Sequence, residues 1–177
     1  GIYDVGSGIS GGDEDLLRFA PTQLGESSAG TWSVYFDGSD VGMTTADMDI
    51  WGAWVDPANE EILLTTKGAF SIGGVTGSTE DILACLPGSI GPNTTCSAIQ
   101  IEWTGTDLAG ESLDAIAFGV APVPSPPSDR SQVYLSSTTS GNINGIPFRD
   151  EDILRYDRNT STWSLAFDGS ANGLGSS

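Results

Sequence analysis

The sequence predicts an all-β fold of antiparallel four-stranded repeat units, about two complete and one split; a β-sandwich or barrel is the alternative. Three observations carry this. A Glu-Asp-aliphatic-aliphatic motif recurs at Glu14, Glu80 and Glu151, a stretch alternating apolar and polar residues follows each copy, and no segment has the 3.6-residue periodicity of a long amphipathic helix.

The elements follow in chain order. The motif and its lead-in read Gly8-Ile9-Ser10-Gly11-Gly12-Asp13-Glu14-Asp15-Leu16-Leu17-Arg18-Phe19. They return at residues 74–85 and 145–156, so Asp15, Asp81 and Asp152 stand 66 and 71 residues apart. The second element alternates apolar with polar or small residues: Trp32, Val34 and Phe36, then Ile99, Ile101 and Trp103, then Trp163, Leu165 and Phe167. That is a half-buried strand running into a Gly turn, and the apolar phase places Trp32, Trp103 and Trp163 in the core.

In the third element, residues 48–55 match residues 113–120, and their near-continuous apolar character predicts a strand covered on both faces. A fourth strand at residues 61–66 matches residues 132–137. The Pro-rich stretch 121–130 lengthens the second repeat as an exposed hairpin loop. The whole chain, 1–177, reads as one domain, with units at about 13–78, 79–149, and 150–177 together with 1–12. In that arrangement a first strand carrying Ile2, Tyr3 and Val5 completes the split unit and serves as an assembly strand.

Composition removes whole classes of function. The chain has 24 Asp plus Glu against 6 Lys plus Arg, a net charge of −18, and no His. Ser-His-Asp and Cys-His catalysis and His-based metal sites are excluded, and so much negative charge repels nucleic-acid backbones. No apolar run is long enough to span a membrane. The absence of an initiator Met and of a signal-like start leads to the expectation of a processed, mature chain. Cys85 and Cys96 flank a turn-rich stretch and are expected to form a disulfide, which with the N-x-S/T sequons at Asn93 and Asn159 points to an extracellular or cell-surface location.

The motifs around Glu14-Asp15-Leu16-Leu17-Arg18-Phe19 and Thr31-Trp32-Ser33-Val34-Tyr35-Phe36-Asp37-Gly38-Ser39-Asp40 resemble repeats of secreted and surface proteins of bacteria. The resemblance implies units like β-propeller blades and an extracellular scaffold, and it implies no active site. Long arrays are the habit of such repeats, and this chain has fewer units than the roughly four blades of a closed propeller.

The recurring carboxylates Asp15, Asp37, Asp40, Asp49, Asp81, Asp107, Asp114 and Asp152 fit two roles. They bond backbone N–H groups of their own turns, or they ligate Ca²⁺ through hard oxygen donors. Turn chemistry ranks first, because Ala171 stands where the first repeat has Asp40. A carboxylate-only glycoside hydrolase would carry an acidic pair unique to one place; these acids keep step with the repeat, so no enzyme is expected. The leading function is a structural subunit that polymerises with copies of itself into a filament or surface layer by strand complementation. The alternative is a glycan- or calcium-binding module, marked by an exposed Trp beside acids; Trp51 and Trp54 lie on opposite faces of one strand, so at most one serves.

Overall fold

The computed structural model describes residues 1–108, 110–119 and 130–175, so all of the Pro-rich stretch except Arg130 lies outside the described residues. Within them the chain is all-β, and no helix is long and apolar enough to cross a membrane. A short hairpin, β1 (Ile2–Gly6) and β2 (Ile9–Gly12), leads into a long ribbon of β3 (Leu16–Gln23) and β4 (Ala29–Phe36). Next come β5 (Ile50–Val55), β6 (Ile62–Thr66), a second short hairpin of β7 (Phe70–Ile72) and β8 (Val75–Gly77), and the ribbon β9 (Ile82–Ser89) and β10 (Thr95–Trp103). The pattern repeats as β11 (Leu113–Gly119), β12 (Gln132–Ser137), the hairpin β13 (Gly141–Ile143) and β14 (Ile146–Phe148), and the ribbon β15 (Ile153–Asp157) and β16 (Thr162–Phe167).

Two four-stranded antiparallel meanders result, β5-β6-β9-β10 and β11-β12-β15-β16, and neither closes into a barrel among the described residues. The sheets are cut from the repeat at a different point from the one expected. Each takes its first two strands from one sequence unit and its last two from the next, because the short hairpin between them is too small to break the ladder from β6 to β9 or from β12 to β15. The three hairpins turn at Ser7-Gly8, Gly73-Gly74 and Asn144-Gly145, where both residues of each pair have positive φ. Such two-residue turns match the twist of their strands. Residues 1–12 do not join 150–177 in one sheet: β1 pairs with β2, so the edge expected to complete the split unit is already taken on one side.

Three layers stack. The ribbon β3–β4 packs on one face of the first sheet through Phe36, Ile62, Leu64, Leu83 and Cys85, and the second sheet packs on the other through Leu63, Ile82, Ala84, Val133 and Leu135. Alternation along β6 sends Ile62 and Leu64 one way and Leu63 the other, and every residue of this strand is buried. The strand covered on both faces is therefore β6. In β5, Trp51 and Ala53 are exposed, because β5 ends its sheet and meets β11 backbone to backbone: a Cβ at Gly52 would lie 3.2 Å from the Ala115 Cα. Trp103 and Trp163 enter the core between the sheets, whereas Trp32 remains 41% exposed against Phe19. Its ribbon is two strands wide, and the β1–β2 hairpin reaches only as far as Leu17, where a Cβ at Gly11 would lie 3.1 Å from the Leu17 side chain.

Candidate functional site

The recurring acids form one structural device, built three times. Asp15 accepts from the Gly12 N–H at 2.7 Å through one oxygen and from the Gly38 N–H at 2.9 Å through the other. Asp81 does the same with Ser78 at 2.8 Å and Gly105 at 3.1 Å, and Asp152 with Arg149 and Gly169, each at 2.9 Å. Each carboxylate thus clasps the end of a short hairpin to the turn after the outermost strand. The glycine is dictated by sterics: a Cβ at Gly38, Gly105 or Gly169 would sit 2.2, 2.1 or 2.3 Å from the carbonyl oxygen of Glu14, Glu80 or Glu151. Glu acts here through its backbone.

The other candidate carboxylates have local partners too. Asp37 accepts from the Ser39 hydroxyl at 2.7 Å and Asp40 from the Thr94 N–H at 2.9 Å, tying the first ribbon to the β9–β10 turn. Asp107 accepts from the Trp163 indole N–H at 3.0 Å, linking the two sheets in the same sense. Asp49 pairs with Lys67 at 3.5 Å, and Asp114 accepts from the Ser136 hydroxyl at 2.5 Å. Asp49 and Asp114 are not equivalent. Ile50 lies opposite Thr66 and Leu113 opposite Ser137, so the place of Asp114 in the first sheet is held by Trp51. Among the described residues no three acidic, His or Cys side chains converge as metal ligands.

The remaining residues singled out from the sequence fall in three places. Cys85 and Cys96 are bonded across the β9–β10 hairpin with Cα atoms 5.4 Å apart. Asn93 and Asn159 are exposed in turns. Ile2 and Tyr3 are 82% and 63% exposed, and Val5 is half-buried.

One charged cluster has no signature in the sequence. Arg130 donates to Asp56 at 2.9 and 2.7 Å and to Glu61, and lies 3.4 Å from Glu102, which also takes Arg158 at 2.6 Å. Asp56, only 1% exposed, belongs to the first sheet and Arg130 leads into the second, so the network locks the layers together. Burial pulls the Arg130 pKa down, but hydrogen bonds to Glu61 and Asp56 outweigh it, and the net direction is upward.

Recurrence also exposes what is missing. Residues 83–85 of β9 pair with β6, and residues 154–157 of β15 pair with β12, whereas the equivalent edge of β3 at Leu17, Arg18 and Phe19 has no strand partner among the described residues. Two clefts flank this edge. One, of about 330 Å³, is lined by Leu16, Leu17, Arg18, Tyr35 and Val55. The other, of about 480 Å³, includes Leu17, Tyr3, Asp13, Asp49, Trp51 and Lys67. Compared with family models, curated proteins and solved structures, the chain matches none.

Proposed function

We propose that this chain is a structural module of an extracellular β-repeat scaffold, of the blade-like kind its motifs resemble, which assembles with a second copy by adding a strand at β3. The observation that carries the reading is the open edge at Leu17, Arg18 and Phe19, whose two internal equivalents each hold an antiparallel partner. An unpaired edge beside an apolar cleft is a template for strand addition, which satisfies backbone groups and buries side chains together. The disulfide and the exposed sequons support an oxidising, extracellular setting. Sedimentation velocity over a concentration series tests it: association that weakens in Leu17→Lys, with the monomer fold retained by circular dichroism, supports the edge. A wild-type chain that stays monomeric throughout ends the proposal.

A second reading rests on a different observation. Tyr3, Trp51, Asp49 and Lys67 line one cleft and break the repeat, since Trp51 is replaced by Asp114 and Lys67 by Thr138 in the second sheet. An exposed Trp beside acids is the arrangement for stacking and hydrogen bonding a glycan. Leu17 borders this cleft as well as the edge, so sugar and strand compete. Quenching of tryptophan fluorescence by soluble polysaccharide, lost in Trp51→Ala, favours the glycan; no quenching discards it.

A further inference from the structure

Resting on the reading of β3 as an assembly edge, we infer that its occupant is a two-stranded antiparallel ribbon of the repeat's own type. The strand that meets β3 carries three consecutive apolar residues, and the strand beyond it carries Gly or Ala where it passes β5.

The chemistry is read from the two edges that are already covered. Leu17, Arg18 and Phe19 hold the places of Leu83, Ala84 and Cys85 in β9 and of Leu154, Arg155 and Tyr156 in β15. Facing them are Leu64, Leu63 and Ile62 in the first sheet, and Leu135, Tyr134 and Val133 in the second. The outer two of each trio point back toward the preceding layer and the middle one points forward. Forward of β3 lies the 330 Å³ cleft walled by Tyr35 and Val55. Val55 stands opposite Ile62 as Phe118 stands opposite Val133, and Leu63 is fully buried in the core cluster against which Phe118 packs. An apolar side chain opposite Arg18 is therefore buried in the cleft as Leu63 is in that core, and a polar one leaves Val55 wet.

The requirement for a small residue comes from the inner strands. β5 and β11 approach each other on Gly52 and Ala115, with a Cβ at Gly52 only 3.2 Å from the Ala115 Cα and 3.3 Å from the Ile116 nitrogen. A ribbon stacked on β5 at this spacing meets the same limit. A helix supplies no ladder for β3, and a generic extended peptide lacks the second strand.

The test adds a labelled peptide of residues 49–67, which carries β5, its turn and β6, to the intact protein. Binding is followed by fluorescence anisotropy and mapped by amide hydrogen exchange. The expected result is one peptide per chain, new protection at residues 17–19, and at least tenfold weaker binding for the Leu63→Asp and Gly52→Leu peptides. Those variants leave the protein untouched, so misfolding does not enter. No binding, equal binding of the Leu63→Asp peptide, or protection elsewhere, such as at residues 115–117, overturns the inference. The two readings fail separately: a chain that self-associates but ignores the peptide refutes the ribbon alone, and a strict monomer that binds it as expected refutes the self-assembly alone.

Discussion

Replacing Asp152 with Asn isolates the clasp, because the change is nearly isosteric and removes the charge. The native carboxylate, 5% exposed, accepts from two backbone N–H groups at 2.9 Å, one of them on the buried Gly169. Asn keeps one acceptor oxygen and turns an NH₂ group toward the other N–H. One charge-assisted bond, worth about 1.5–3 kcal/mol, is lost, and a buried donor is left without an acceptor. The expected destabilisation is about 2–4 kcal/mol, which at this chain length lowers Tm by roughly 5–15 °C. Urea denaturation followed by tryptophan fluorescence measures it, with Asp168→Asn as the control. Asp168 lies in the same turn and accepts from Ser170 and Ala171 at exposed positions, so its loss is expected to cost far less than that of Asp152. Equal effects at Asp152 and Asp168 refute the clasp.

Arg130→Met leaves Asp56 and Glu61 buried without their cation and is expected to cost about 3–5 kcal/mol by urea denaturation. Reducing the Cys85–Cys96 bond, which closes a loop with a sequence separation of 11, is expected to lower stability by about 3 kcal/mol, read from denaturation with and without reductant. Asp157 has its pKa held below the ordinary 3.8 chiefly by the Gln132 side-chain amide, and Asp168 below the same value chiefly by the Ala171 N–H. A depressed folded pKa means stability that is present above pH 3.8 and lost as pH falls through the folded value. Acid titration of Gln132→Ala, which removes the main bond to Asp157, is therefore expected to show a shallower loss below about pH 4 than wild type.

The strand character of the chain was legible because apolar alternation and Gly turns are local signals, and Ile99 and Ile101 share one half-buried phase as expected, whereas a bulge after Ile101 turns Trp103 to the opposite face, into the core between the sheets. The disulfide was legible for the same reason: Cys85 and Cys96 flank their own hairpin turn. The sheet boundaries were not, because a sequence repeat has the same period wherever it is cut, and only the ladder from β6 to β9 fixes the phase. The Gly-Gly and Asn-Gly pairs at Gly73 and Asn144 were the available sign of the short hairpins. Asp15, Asp81 and Asp152 each accept from the N–H three residues back, the local bond that turn chemistry expects. Their second partners, Gly38, Gly105 and Gly169, lie 23, 24 and 17 residues away, beyond the reach of a local Asx turn. The Arg130 network joins residues up to 74 positions apart, a proximity created by stacking two sheets and not encoded in any spacing.

Amide hydrogen exchange of residues 17–19, compared with residues 83–85 and 154–156 across protein concentration, bears on assembly at β3 more closely than any other measurement. The amides of residues 17–19 that point away from β4 are expected to exchange rapidly in dilute solution and to gain protection as concentration rises, while their internal equivalents stay protected throughout. Protection of residues 17–19 that does not change with concentration, whether high or low, contradicts strand addition from a second copy.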